Sequence, residues 1–298
     1  MYSLYKKSRS LHLPVDIQFS LFDRVVLPIM LYSCEVWGFS NLSPLENLHR
    51  KFCKMALKLR SSTPNIMIYG ETGRFPLEVL VKIRMINFWS RIVLGKREKL
   101  SFIAYSICKS HLFDSGLETD WISYIHKILT STGYTNWNHI EQFIAEHEVK
   151  LIGNDIKTSY VTSWHEDLQN KPSCQSLYKH IKFVYGPEFY LKKLPESLRI
   201  PIAKFRTSNH RLPIQRGRYD GTSREERLCR LCNDQKPGNE LHFILECKNP
   251  RLVEIRNKHI APYYRYSPSI DKLKELFCNR GRKLFKLARF IKEASHLI

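Results

Sequence analysis

Apolar residues recur along this chain at steps of three and four, the spacing of one helical face, while strict alternation is almost absent. Residues 16–37 place Ile17, Leu21, Val25, Ile29 and Tyr32 on one stripe, with Pro28 expected to bend the helix. A second stripe runs through Leu45, Leu48, Phe52, Met55 and Leu59, with Arg50, Lys51, Lys54 and Lys58 opposite it. Ser61-Ser-Thr-Pro64 should stop that helix and cap the next short one. A third helix is expected to begin at Pro76 and to end at Gly95. Residues 96–150 read as less regular, punctuated by Gly116 and Gly133, with Trp121 and Trp137 as packing anchors. A long helix follows at about 138–168, and Pro172, Pro187, Pro195 and Pro201 then cut the chain into short helical pieces. Helices are expected again at 250–260 and 269–294. In the last of these, Leu284, Leu287, Phe290 and Ile291 alternate with Arg282, Lys283, Lys286, Arg289 and Lys292. The pattern predicts an all-α protein, an irregular helical bundle followed by a small metal knuckle and C-terminal helices.

The knuckle is read from Cys229-Arg-Leu-Cys232, His242 and Cys247, a C-x2-C-x9-H-x4-C string. Three thiolates and one imidazole close the tetrahedral shell of Zn²⁺, and four protein ligands leave no open position, so the site should be structural. Glu240–Cys247 reads as a short helix with Cys247 at or just past its end. Cys34, Cys53, Cys108, Cys174 and Cys278 stand in apolar contexts and read as buried thiols.

Charge changes the picture next. The 298 residues carry 48 Lys and Arg against 28 Asp and Glu, a net charge of +20 that favours a polyanionic partner. Arginines concentrate just before the knuckle. Arg206, Arg211, Arg216, Arg218, Arg224, Arg227 and Arg230, together with Asn209 and His210, are the candidate phosphate contacts. His210 has a rival reading, as a hydrogen-bonded loop histidine tying this string to the helices. With 43% hydrophobic residues the chain is rich enough to bury cores. It shows neither the apolar core of a signal peptide nor a membrane-length apolar run, so an intracellular, membrane-free setting is expected.

The search for catalytic constellations is negative. No G-x-x-x-x-G-K, G-x-G-x-x-G, H-E-x-x-H or G-x-S-x-G string occurs, and there is no Asp-Asp pair to hold two metals. His147-Glu148 and His165-Glu-Asp167 set acids beside histidines, but helical neighbours diverge, so these read as surface charge.

Several strings resemble one family. Phe22-Asp-Arg-Val-Val-Leu-Pro-Ile-Met-Leu-Tyr-Ser-Cys-Glu-Val-Trp-Gly38 is similar to the segment after the reverse transcriptase domain in non-LTR (LINE-type) retrotransposon polyproteins. Leu48–Leu57, Thr63–Leu77 and Arg84–Trp89 continue the likeness in order, and Ser208-Asn-His-Arg-Leu-Pro-Ile-Gln-Arg-Gly-Arg-Tyr219 leads into the knuckle. Two positions depart from the pattern: Ser33 stands where Gly is usual, and Thr72 where Leu is usual. The resemblance implies a thumb-like helical region at 1–100, a helical linker at 101–205, a basic loop and zinc knuckle at 206–260, and basic helices at 261–298. It also implies a C-terminal remnant without polymerase or endonuclease motifs, gripping RNA or DNA, in the nucleus, as part of a retrotransposon polyprotein. The rival expectations are a protein-interaction module whose basic 282–292 helix docks an acidic partner, and a reverse transcriptase active by itself.

Overall fold

The computed structural model describes residues 1–114, 120–136, 140–141, 144–171 and 177–298. The described chain is predominantly helical, with a long non-helical stretch between Pro213–Arg216 and His242–Glu246. Its only extended pairings are two isolated antiparallel bridges, Thr72 with Pro187 and Leu228 with Pro237. The all-α expectation is met. Among the described residues no helix is long and apolar enough to cross a membrane.

Two compact units are present, and both are discontinuous in sequence. One comprises residues 1–22, 50–74 and 167–298, the other 23–49 and 75–166. The sequence reading sets its breaks instead near 100, 205 and 260.

The second unit is organised by Leu77–Val93, which packs against Cys34–Trp37, Leu100–Asp114 and Asp120–Ser131. Its first backbone N–H donates to the Glu46 carboxylate at 2.6 Å, an acceptor at the positive end of the helix. Pro76 stands one place ahead of the helix, as its cap residue. Gly38 meets the helix so closely that a β-carbon there would lie 2.2 Å from Val81 Cγ1. Trp121 is an anchor, its Nε1 donating to the Glu35 carbonyl at 2.7 Å, while Gly116 and Trp137 lie outside the described residues. The stretch read as irregular holds two well-formed helices, Leu100–Asp114 and Asp120–Ser131, and the long helix runs Glu146–Asn170.

The first expected stripe is wrong, for a local geometric reason. The buried positions are Val15, Gln18, Phe22, Leu27, Leu31 and Cys34, whereas Ile17, Val25, Ile29 and Tyr32 are exposed. Buried positions step by three or four except from Phe22 to Leu27, a step of five. There the chain makes a π-turn, Phe22–Val26, between Val15–Leu21 and Leu27–Met30. The extra residue of a π-turn rotates the inward face by one position and displaces the later part of the stripe; ahead of the turn, Ile17 is exposed because the inward face runs through Val15, Gln18 and Phe22.

The first unit is built on Arg282–Ala294, whose Leu284, Leu287, Phe290 and Ile291 are buried as the pattern predicts. It packs against Glu196–Arg206, Pro250–His259 and Ile270–Cys278. The expected single helix over 269–294 is therefore two, parted at Asn279-Arg280-Gly281. Pro201 does not cut the chain but lies inside Glu196–Arg206, while Pro172 falls outside the described residues. Ser61–Thr63 supply no side-chain cap, and Pro64 itself precedes the next helix. Cys34 and Cys53 are buried as expected, Cys108 is half-buried and Cys278 exposed, while Cys174 lies outside the described residues.

Within this unit Asn65–Thr72 is buried along nearly its whole length and carries Glu71, which is fully buried. Arg206 forks onto it, with Nε 2.9 Å from Oε2 and Nη2 2.9 Å from Oε1. Tyr190 donates to the same carboxylate at 2.6 Å. Glu188 and Lys182 complete the network, with Glu188 3.1 Å from Arg206 and 2.6 Å from Lys182. Two acids thus balance two cations. Gly73, at φ 65°, closes the helix in the left-handed region, and Pro187 packs where its β-carbon would be. Arg74 lays its guanidinium over Phe19 and Phe22, 5.2 and 5.8 Å from the ring centres.

Two predictions follow from this packing. Breaking a buried ion pair from one side strands the other charge, at a cost of about 3–5 kcal/mol. Arg206→Met should lower urea stability by that amount, and adding Glu71→Gln should restore part of it; a loss under about 1 kcal/mol would show the network to be dispensable. Ser33 holds a left-handed conformation, φ 53° and ψ 23°, at the position where the resemblance has glycine. Left-handed backbone costs a residue with a β-carbon about 1 kcal/mol, so Ser33→Gly should raise the melting temperature rather than lower it.

Candidate metal centre and its basic rim

Cys229 and Cys232 sit at the tip of a tight hairpin. The Cys229 N–H donates to the Lys236 carbonyl at 2.8 Å, and the Gly238 N–H to the Arg227 carbonyl at 2.8 Å. Leu231 N–H points at Cys229 Sγ, 3.4 Å away. Gly238 is required by its neighbour, because a β-carbon there would lie 2.6 Å from the Pro213 ring.

The other two donors come from a π-turn, His242–Glu246, with Cys247 just beyond its end as the pattern predicts. In an α-helix, residues five apart point about 140° away from each other. A π-turn closes on the fifth residue, and here the closing bond is itself between the ligands, Cys247 N–H to the His242 carbonyl at 2.7 Å. The x4 spacing therefore works because the turn is wide.

All four donor atoms lie within 4.8 Å of one another. Cys229 and Cys247 Sγ are 3.9 Å apart, and Cys232 Sγ is 3.3 Å from His242 Nε2. Ligands about 2.3 Å from a tetrahedral ion are separated by roughly 3.8 Å, so the group can hold one metal ion. The outward nitrogen, Nδ1 of His242, faces Glu246 at 3.5 Å, a carboxylate placed to fix the ring orientation. Burial favours the neutral imidazole at His242 and pushes the Cys247 thiol up to about 12, so a metal must displace the Cys247 proton.

One residue the sequence reading missed holds this turn in place. Arg256, buried in Pro250–His259, donates Nε to the Ile244 carbonyl at 2.7 Å, Nη1 to that of Cys247 at 2.8 Å, and Nη2 to that of Phe243 at 3.1 Å. A cation at the negative end of a helical turn is electrostatically favoured. Asn249 caps Pro250–His259 through Leu252 N–H at 3.1 Å and donates to the Leu231 carbonyl at 3.0 Å, joining that helix to the hairpin. Nothing in the string Arg251-Leu-Val-Glu-Ile-Arg-Asn-Lys258 distinguishes such an arginine from an exposed one.

The candidate phosphate contacts divide sharply. Arg206 is buried on Glu71 and cannot reach a ligand. Asn209 is also buried, accepting from Arg60 N–H at 2.9 Å and donating to Thr63 Oγ1 at 2.7 Å. His210 follows its rival reading, with Nε2 2.8 Å from the buried carboxylate of Glu240. Burial raises the Glu240 carboxyl, but His210, the backbone and Gln215 outweigh it and hold it below its usual range. Arg227 is half-buried and clamps the loop, donating to the carbonyls of Thr222 at 2.7 Å and Ile214 at 3.2 Å. Arg211, Arg216, Arg218, Arg224 and Arg230 remain exposed. Arg60, Glu240 and Arg256 have no site role in the sequence reading because their partners lie far away along the chain or carry no motif.

Comparison with protein-family models, with curated proteins and with solved structures returns no match. The likeness to LINE-type tails rests on its motifs alone.

Structural metal in small finger domains contributes about 10–16 kcal/mol of apparent binding free energy. Phe243, Ile244 and Leu245, between the ligands, belong to the core of the first unit, so the effect of losing the metal should spread. Cys232→Ser should lose bound metal and open 225–260 and the packed face of 282–294 to hydrogen exchange, while Leu77–Val93 stays protected. Wild-type exchange in the mutant, without bound metal, would remove the metal assignment.

Proposed function

We propose that this chain is a zinc-stabilised, non-catalytic nucleic-acid-binding tail of the LINE-type reverse transcriptase class. The observation that carries the reading is the exposed set Arg211, Arg216, Arg218, Arg224 and Arg230 on the segment that runs into a Cys₃His centre. A thiolate-rich tetrahedral donor set suits Zn²⁺ among common cellular metals. Guanidinium groups bind phosphate bidentately, and a loop held by Asn209, His210 and Arg227 presents them with little ordering cost. The net charge of +20 adds long-range attraction to RNA or DNA. The motif likeness supplies the context, a retrotransposon polyprotein working in the nucleus, and the lack of an Asp-Asp pair supplies the absence of polymerase chemistry.

A second reading draws on Arg282–Ala294. Its basic side, including Lys286, Arg289 and Lys292, is exposed while its apolar side is buried, so it presents a row of cations suited to an acidic protein. An acidic peptide that outcompetes RNA at matched salt would favour that reading.

Elemental analysis of purified chain should find about one zinc per molecule. RNA and duplex DNA should bind with micromolar or tighter affinity that falls steeply with salt. If the exposed arginines neutralise about five phosphates, log K against log salt should slope roughly −3.5 for single strands and −4.5 for duplex. Primer extension should be absent. A flat salt dependence, or zinc-free folded protein, would overturn the assignment.

A further inference from the structure

The exposed arginines do not stand on a flat surface. A cavity of ≈ 400 Å³ opens beside them, lined by Arg60, His210, Arg211, Arg216 and Tyr219. No acid lines it. Tyr219 is 63% exposed, yet its ring is held from two sides: Arg60 lies 5.8 Å from the ring centre, and the phenol oxygen is 3.3 Å from Ser62 Oγ. The Ser62 hydrogen bond, with Arg60 and Arg218 nearby, lowers the Tyr219 phenol below its usual range, as expected in strongly positive surroundings. His210 is buried and fixed on Glu240, and its Nδ1 has no hydrogen-bond partner. Arg216 meets only Asp220, 3.5 Å away with both side chains exposed, a contact weak enough to be exchanged for a phosphate.

A second, smaller cavity of ≈ 150 Å³ shares Arg211 and Arg216 and is also lined by Arg230, by the apolar Leu212 and Leu231, and by Cys229 and His242 of the metal centre. Arg211 and Arg216 thus border two hollows, one with an aromatic wall and one of mixed basic and apolar lining. A duplex keeps its bases stacked inside and offers such a surface only phosphates. An unpaired strand can lay its phosphate on these arginines and turn a base into the aromatic hollow, and base–aromatic stacking is the recurring device for this.

Resting on the nucleic-acid reading above, we propose that this cavity seats one unpaired nucleotide of a single strand. The base stacks on Tyr219, and the phosphate lies between Arg211, Arg216 and Arg60. The preference is for single-stranded over double-stranded nucleic acid, and the stacking face carries it without reading sequence.

The test is fluorescence anisotropy on the full, metal-loaded chain with a labelled oligouridylate, a labelled oligothymidylate and a labelled DNA duplex, at one low salt concentration. Wild type should bind the single strands more tightly than the duplex. Tyr219→Ala should weaken single-strand binding by about 5- to 150-fold, the range that stacking one base supplies, and leave the duplex unchanged. Tyr219→Phe, which keeps the ring, should bind as wild type, and unchanged metal content and circular dichroism would show that both variants fold. If Tyr219→Ala binds single strands normally, or loses duplex equally, the nucleotide seat is wrong while the nucleic-acid reading stands. If wild type binds none of the three probes, both fall.

Discussion

A buried guanidinium needs its charge and its N–H groups satisfied within the protein, and the pairing of Arg206 with Glu71 is the constraint from which much of the first unit follows. The two residues lie 135 positions apart in the chain. Joining them fixes the end of Glu196–Arg206 against the buried Asn65–Thr72, and Glu188, Tyr190 and Lys182 are drawn in to satisfy the remaining atoms. The segment that leaves Arg206 is then tied at once, Asn209 to the 60–63 turn and His210 to Glu240. Only after these anchors does the chain reach Arg211 and Arg216. The buried arginine and the exposed ones thus do opposite jobs in one short stretch: the first sets the register that aims the others.

The metal centre obeys a second constraint of the same kind. Its hairpin and its π-turn are each short and poor in regular hydrogen bonds, and each is held from outside: the hairpin by Pro213 and Asn249, the turn by Arg256. A metal ion would link the two halves directly. Phe243 between the ligands stacks toward Phe205 and Phe290 at 5.8 and 5.9 Å, so the centre is continuous with the core of its unit and is not an appended finger.

Much of this was open to reading in the residues, and the failures have identifiable causes. The ligand set could be found because metal coordination demands particular side chains at close spacing. The last helix could be found because its apolar face never breaks step. The stripe at 17–32 failed ahead of residue 22 because the inward face there runs through Val15, Gln18 and Phe22, and beyond it because the π-turn at 22–26, which carries no residue signature, adds one residue. Arg206 and Arg227 were grouped with their exposed neighbours because an arginine's partner is set by tertiary structure: Glu71 for the first, backbone carbonyls for the second. His210 was decided by a buried acid thirty positions later, which neither composition nor spacing reveals.

The floor beneath Tyr219 comes from residues 60–63, while the arginines above it come from 209–219. This has a consequence for inheritance. A segment containing only the cysteines, the histidine and their preceding arginines would travel between genes with its metal site whole but with the tyrosine ring unsupported. Selection on this face would therefore have to keep together two stretches between which the chain makes residues 75–166 of the second unit, and recombination between them would part the metal site from the tyrosine's support.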